Sequence, residues 1–405
     1  MSTWLVHQSE LTPEQLRAAR LDPAEHRVIM GPPGSGKTLI LLHRARHLLD
    51  LWRVPPERFR IFVFTNALKE YIRAALFLLD LPDECVTTFD AWCRDFYRTH
   101  IKGPLPRDGK EIDFPGIRRR VLAEIQGNLF GVTKYDFVLV DEGQDLDSTA
   151  FDIIRAISNH VTVCIDHKQQ IYEGRSSEID ILQRMGLRRR NMELLGAFRC
   201  CPFIVSMASE LLSDPKERQV FINQAKTVQT ERETPLLYLA TDFEDEKRRL
   251  IEILKIRQSK GEKVAILLPQ RRQVFGFAKG IREAGLEIET PEKMDFQNDI
   301  PKIMPYHSAK GLTFDTVLLP RLVRSSFPRI SDSRIMKLLF VGITRATKWV
   351  YMSSRQEGMI PALENLMPLE KTKVLTIQRG PGIAAQSSDI ETPGSAGTED
   401  ILDLI

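Results

Sequence analysis

Two short blocks of this sequence hold residue types suited to phosphate chemistry. "GPPGSGKT" (31–38) follows the apolar run "HRVIM" and opens the amphipathic "TLILLHRARHLLDLW". Gly31, Gly34 and Gly36, with Pro32, Pro33 and Ser35 between them, let backbone N–H groups converge on phosphate oxygens, and the helix that follows adds partial positive charge. Lys37 is then placed to reach the β- and γ-phosphates, and the Thr38 hydroxyl is a Mg2+ ligand. The second block, "FVLVDEGQD" (137–145), is an apolar strand that ends in two carboxylates. Asp141 is suited to hold Mg2+ opposite Thr38. Glu142 is suited to polarise the attacking water as general base. Together the blocks imply a nucleoside triphosphatase working by in-line attack. Charge builds on the transferring phosphoryl group, so such a site needs further cations; Arg199 in "GAFRCC" and Arg345 in "FVGITRA" stand in suitable contexts.

The elements that must position these residues are legible as apolar runs alternating with amphipathic segments, the pattern of an α/β protein with parallel sheets. Candidate strands are "HRVIM" (26–30), "RIFVFT" (60–65), "FVLVD" (137–141) and "VTVCID" (161–166). A second series comprises "PLLYLA" (235–240), "KVAILLP" (263–269), "TVLLP" (316–320), "WVYM" (349–352) and "KVLTI" (373–377). Two α/β lobes joined near residue 200 are expected, 1–199 and 200–377. The stretch from 378 to 405, rich in Gly, Pro, Ser and Ala, reads as a disordered tail. Its end, "TEDILDLI", alternates acids with aliphatics and could dock a protein partner.

Composition narrows the class. The chain has 405 residues, 42% hydrophobic and 27% charged, with a formal net charge of +3. That balance permits a nucleic-acid partner without announcing one. The five cysteines show no CxxC pairing and no zinc spacing, which fits free thiols in a reducing cytosol better than disulfides. No apolar run approaches the length of a membrane span, and the N-terminal stretch is charged, so a cytoplasmic protein is expected.

Taken in order, the blocks resemble those of a superfamily 1 helicase of the UvrD/Rep type. "LTPEQ" (11–15) resembles the adenine-reading motif, with Gln15 as base contact. "GPPGSGKT", "VFTNALKE" (63–70), "DEGQD", "IDHKQQIYEGR" (165–175), "LLGAFR" (194–199), "YHSAKGLTF" (306–314) and "LLFVGITRA" (338–346) follow in the family's order. The resemblance implies two RecA-like parallel-sheet lobes of the P-loop NTPase class, with ATP in the inter-lobe cleft and single-stranded DNA across both. It implies that Gln169 senses the γ-phosphate, Phe198 stacks on adenine, and Arg199 and Arg345 meet the γ-phosphate. It assigns Phe64, Asn66, Tyr172, Arg175, His307 and Lys310 to the nucleic acid, with translocation 3′ to 5′.

Departures from the family pattern gather on the nucleic-acid side. Gly174 stands where the family carries a Trp or Phe, Asp90 where it carries His, Pro305 where it carries Thr, and Thr313 where it carries Glu. The first accessory insert is reduced to the segment near 94–134, and there is no room for a second. A compact translocase is the leading expectation. The alternative is an ATP-driven switch that gates a partner nuclease or a repair or defence protein without processive unwinding. A base stacked on an aromatic platform gains about 1–3 kcal/mol. Gly174→Trp is therefore expected to tighten single-strand binding about tenfold or more in a fluorescence-anisotropy titration; unchanged affinity would remove Gly174 from the strand path.

Overall fold

A computed structural model of the chain describes residues 4–32, 34–127, 134–166, 176–188, 192–194, 201–225 and 233–381. The chain divides into two compact units, Met1–Leu195 and Gly196–Ile405. Each is built on its own six-stranded parallel sheet.

In the first unit, α1 (Pro13–Ala19) precedes β1 (Arg27–Met30) and α2 (Lys37–Trp52). Then come β2 (Phe59–Val63), α3 (Asn66–Arg73), β3 (Val86–Thr88) and α4 (Phe89–Phe96). A small hairpin, β4 (Arg107–Asp108) and β5 (Glu111–Ile112), leads into α5 (Phe114–Gly127). The unit closes with β6 (Tyr135–Val140), α6 (Ser148–Ala156), β7 (Ser158–Ile165), α7 (Glu178–Arg184) and β8 (Met192–Glu193). Strand order is β3-β2-β6-β7-β1-β8. The central strands read as unbroken apolar runs because both faces of a parallel sheet are covered by helices; the last four residues of β6 and the last six of β7 are all buried. Val138, Val140, Val161 and Val163 pack with Ile117, Val121 and Ile125 of α5 and Phe151, Ile153 and Ile154 of α6. The segment near 94–134 thus contributes α5 to the core of this unit.

The second unit begins with α8 (Pro202–Ser209) and α9 (Pro215–Gln224), followed by β9 (Leu236–Ala240), α10 (Phe243–Ser259), β10 (Val264–Leu268) and α11 (Arg271–Glu283). It ends with β11 (Lys302–Pro305), β12 (Phe314–Leu319), α12 (Asp332–Ile343), β13 (Ala346–Arg355) and β14 (Thr376–Arg379), ordered β11-β10-β12-β13-β9-β14. Among the described residues no helix is long and apolar enough to cross a membrane.

The expected strands recur with shifted ends. The strand expected at 373–377 is displaced to Thr376–Arg379 because Lys373 takes a left-handed turn and the Val374 and Leu375 N–H groups fold back on the Leu369 carbonyl. This also corrects the expected start of the tail at 378. Gln378 and Arg379 pair with β9, and the Gly380 N–H donates to the Leu239 carbonyl at 2.8 Å. Residues 382–405 lie outside the described residues. Sequence periodicity missed the short strands β3 and β11 at the sheet edges, where "VTT" and "KIMP" lack a pure apolar run. Pro305 is tolerated because β11 is an edge strand, where a missing N–H costs no ladder bond.

Asp90 finds a partner that the sequence did not announce. Arg118 of α5, almost fully buried, donates to Asp90 Oδ1 at 2.5 Å and to Asp147 Oδ2 at 2.5 Å. Asp147 also caps α6, accepting from the Ala150 N–H at 2.9 Å. One guanidinium thus ties three helices and neutralises Asp90. Removing one member of a buried ion pair leaves its partner uncompensated; Asp90 and Asp147 are partly solvated, which reduces the cost. Arg118→Leu is expected to lower unfolding free energy by about 2 kcal/mol in a urea titration. An unchanged midpoint would show that the triad carries no stability.

Candidate functional site

The strand order brings β6, β7 and β1 side by side, with Val140 opposite Val163 and Met30 opposite Ile165. Their carboxyl ends therefore open onto one place: the loop 31–36 after β1, Asp141 and Glu142 after β6, and Asp166 after β7. In open α/β sheets this carboxyl edge is where ligands bind.

The loop is shaped by close approaches that only glycine allows. Gly36 sits at φ 85° as N-cap of α2, and a Cβ there would lie 2.5 Å from Gln15 Nε2. Gln15 is held by a capping box at the start of α1. Its N–H donates to Thr12 Oγ1 at 3.2 Å, and its Oε1 accepts from the Thr12 N–H at 3.1 Å. That leaves Nε2 to donate to the Ser35 carbonyl at 3.2 Å, so α1 braces the loop. Gly31 packs against Ser35 and Leu194, and Gly34 is exposed at the tip with φ 70°. Pro33 lies outside the described residues.

Lys37 opens α2 and is buried. Its ammonium donates to the Gly31 carbonyl at 2.8 Å and the Pro32 carbonyl at 3.0 Å, and lies 3.4 Å from Asp166 Oδ2. Burial alone would favour the neutral amine. The carboxylates of Asp166, Glu142 and Asp141 outweigh it, and the Lys37 pKa is raised. Thr38 Oγ1 donates to Asp141 Oδ2 at 2.5 Å. Burial, with the Glu142 carboxylate alongside, pushes Asp141 up to about 6 despite that bond. A hydroxyl and a carboxylate in contact are hard oxygen donors of the kind Mg2+ takes, and a buried carboxylate pair is an unfavourable charge that a divalent cation relieves. The donor set fits the ion.

Glu142 adopts a left-handed backbone, φ 52° and ψ 43°, which is uncommon for a residue with a side chain and clusters at functional sites. Gly143 follows because nothing larger fits, since a Cβ there would meet Val163 Cγ1 at 2.4 Å. Gln144 Nε2 donates to Glu142 Oε2 at 2.6 Å, and its Oε1 accepts from the Asp166 N–H at 2.9 Å.

On the same edge, beyond β2, Phe64 is half-buried and Asn66 is exposed at the first position of α3. Trp92 belongs to the core margin, stacking on Phe96 at 5.3 Å and donating from Nε1 to the Tyr135 hydroxyl at 3.0 Å. In the second unit, Arg345 is buried and donates to the Val341 carbonyl at 3.2 Å, the Leu312 carbonyl at 3.3 Å and Thr344 Oγ1 at 3.2 Å. His307 is exposed and Lys310 buried on the turn after β11. That turn lies against α12, where a Cβ on Gly342 would come within 2.8 Å of Tyr306 Cε1. Gln169, Tyr172, Gly174, Arg175, Phe198 and Arg199 lie outside the described residues. The cysteines described, Cys85, Cys93, Cys164 and Cys201, are buried. Burial pushes the Cys93 and Cys164 thiols well above their usual range, which makes them unreactive.

Sequence reasoning missed the bridging part of Gln144 and the ion pair of Asp166. The signal for both was present: polar residues directly after buried strands need a polar partner there.

Two family models match the chain in order. An AAA domain model matches residues 15–175, and a UvrD-like helicase C-terminal domain model matches residues 277–357. No curated protein shows significant sequence similarity. A solved structure of the C-terminal domain of a possible DNA helicase from Lactobacillus plantarum WCFS1 matches at 17% identity, covering 44% of this chain and 97% of that one, with a TM-score of 0.35.

Gly143→Ala forces a methyl group into the β7 core, and overpacking of this kind costs about 1–3 kcal/mol. The variant is expected to lose that much stability in chemical unfolding. Native stability would show that Val163 yields freely.

Proposed function

The chain belongs to the UvrD-like, ATP-hydrolysing DNA helicases, and on that premise we propose a compact motor that moves 3′ to 5′ along single-stranded DNA by coupling ATP hydrolysis to lobe closure. One observation carries the ATP half of this reading. Lys37, Thr38, Asp141 and Glu142 converge beyond the carboxyl ends of β1 and β6, the two strands that flank β7, with Thr38 Oγ1 2.5 Å from Asp141 Oδ2.

In this reading the loop N–H groups of 31–36 hold the phosphates and Gln15 contacts the base. The Lys37 ammonium moves from the Gly31 and Pro32 carbonyls onto the β- and γ-phosphate oxygens. Thr38 and Asp141 hold Mg2+, which when bound neutralises charge on the β- and γ-phosphates. Glu142 takes the proton of the water that attacks in line. Gln169, Arg199 and Arg345 face the γ-phosphate, and Phe198 stacks on adenine. Phe64, Asn66, Tyr172, Arg175, His307 and Lys310 face the strand. The exposed Asn66 and His307 suit a phosphate-backbone path, because such contacts come from polar side chains open to solvent.

Gly174 favours a second reading, an ATP-driven switch that senses DNA without processive unwinding, since the chain lacks one stacking ring on the strand path. Steady-state ATP hydrolysis with and without single-stranded oligonucleotide, at two salt concentrations, separates the two. The motor predicts strong stimulation that weakens as salt rises, because phosphate contacts release counterions. Hydrolysis indifferent to DNA sinks the motor in favour of the switch. Lys37→Ala is expected to abolish turnover under all conditions, and wild-type turnover in that variant would overturn the site.

A further inference from the structure

We propose that the first unit carries a second nucleotide site, at the amino ends of its strands, that takes one nucleotide with an amino-bearing base, either free or within a strand. The site is independent of the ATP reading, because it uses none of the residues placed around the phosphates.

A cavity of about 520 Å3 opens where the starts of β2 and β6 face the end of α4. Cavities of about 300–1,000 Å3 are the usual size for small-ligand sites. One wall is a column of rings. Trp92, Phe96 and His100 recur every fourth residue and so share one helix face. Trp92 stacks on Phe96 at 5.3 Å, and Phe96 on His100 at 4.3 Å. Tyr135, the first residue of β6, adds a fourth ring, and its hydroxyl accepts from Trp92 Nε1 at 3.0 Å. Beyond Phe96 the chain makes one π-helical turn, Tyr97–Ile101, closed by Lys102 at φ 58°. Such turns are rare and gather at functional sites. Here the turn brings Thr99 and His100 to the cavity.

The polar groups say what a ligand must carry. The Arg60 guanidinium lies over the Tyr135 ring, 5.1 Å from its centroid. Its Nη1 donates to the Phe59 carbonyl at 2.6 Å and the Pro56 carbonyl at 3.3 Å. Among the described residues no carboxylate pairs with Arg60, and Nε and Nη2 reach no acceptor. Those two N–H groups form the side of the fork that grips a phosphate bidentately. Glu84, exposed at the rim, has no ion-pair partner among the described residues and accepts N–H donors. The rings ask for a flat π-face, Arg60 for an anion and Glu84 for an amino group. A cytosine, adenine or guanine nucleotide brings all three.

The test uses the full chain with ADP and Mg2+ saturating the phosphate loop. Free deoxycytidine monophosphate is titrated by calorimetry, and a fluorescent oligodeoxycytidine by anisotropy, on wild type, Arg60→Gln and His100→Ala. Urea midpoints check that the variants fold. Should Arg60→Gln fail to fold, Arg60→Lys, which keeps the charge and loses the fork, replaces it. Each variant is expected to weaken binding about tenfold, the scale of one lost stacking ring or one charge-assisted contact. Loss for the monophosphate with oligonucleotide affinity intact identifies a free nucleotide. Loss for the oligonucleotide identifies a nucleotide of a strand. Wild-type affinity of both variants in both titrations overturns the site, as does a wild type that binds neither probe. A loss confined to the Arg60 variant reports charge alone and overturns it too.

Discussion

The interaction on which the site depends is the burial of the Lys37 ammonium among carboxylates. An isolated buried charge is costly, and a lysine in such a place would surrender its proton. Here Asp166, Glu142 and Asp141 surround it, and the ammonium form is favoured instead. The reverse strain falls on Asp141, whose carboxyl is pushed up to about 6 by burial beside Glu142. One cation therefore balances three acids at the end of the sheet. The charge pattern is poised for exchange, since a ligand that brings phosphate for the lysine and a divalent ion for the acids satisfies both sides at once.

That balance exists only because a parallel sheet aligns its strand ends. Lys37, Asp141 and Asp166 are separated by more than a hundred positions or by a whole strand–helix unit, yet their strands are neighbours in the order β6-β7-β1. The core beneath fixes the spacing. Gly143 presses on Val163 with no room for a methyl group, and Gly36 admits the Gln15 amide to the loop. Packing at this density transmits small displacements rather than absorbing them. Similar tight contact in the second unit joins Tyr306 to Gly342, setting the turn with His307 and Lys310 against α12.

The departures from the family pattern become physical once partners are visible. Asp90, an acid on an expected phosphate path, is paired with buried Arg118, which also holds Asp147. Pro305 costs the sheet nothing at the edge strand β11. At these two positions the residue present is accommodated by its own surroundings.

The sequence by itself determined the α/β class, the phosphate loop, the paired acids and most of the strands. These signals are local: apolar runs, glycine spacing, and a charged pair at a strand's end all survive in one dimension. The resemblance of "LTPEQ" singled out Gln15, whereas the capping box that holds it and its bond to the Ser35 carbonyl came from the structure. Tertiary structure alone decided which distant groups meet. Arg118 lies 28 positions from Asp90, Asp166 lies 129 from Lys37, and Gln144 reaches 22 residues to the Asp166 N–H. No periodicity encodes those pairings. They follow from strand order and helix packing, and these depend on the whole core rather than on any stretch of chain. The short edge strands β3 and β11 and the displaced β14 were illegible for the same reason: their pairing comes from a neighbouring strand, not from their own composition.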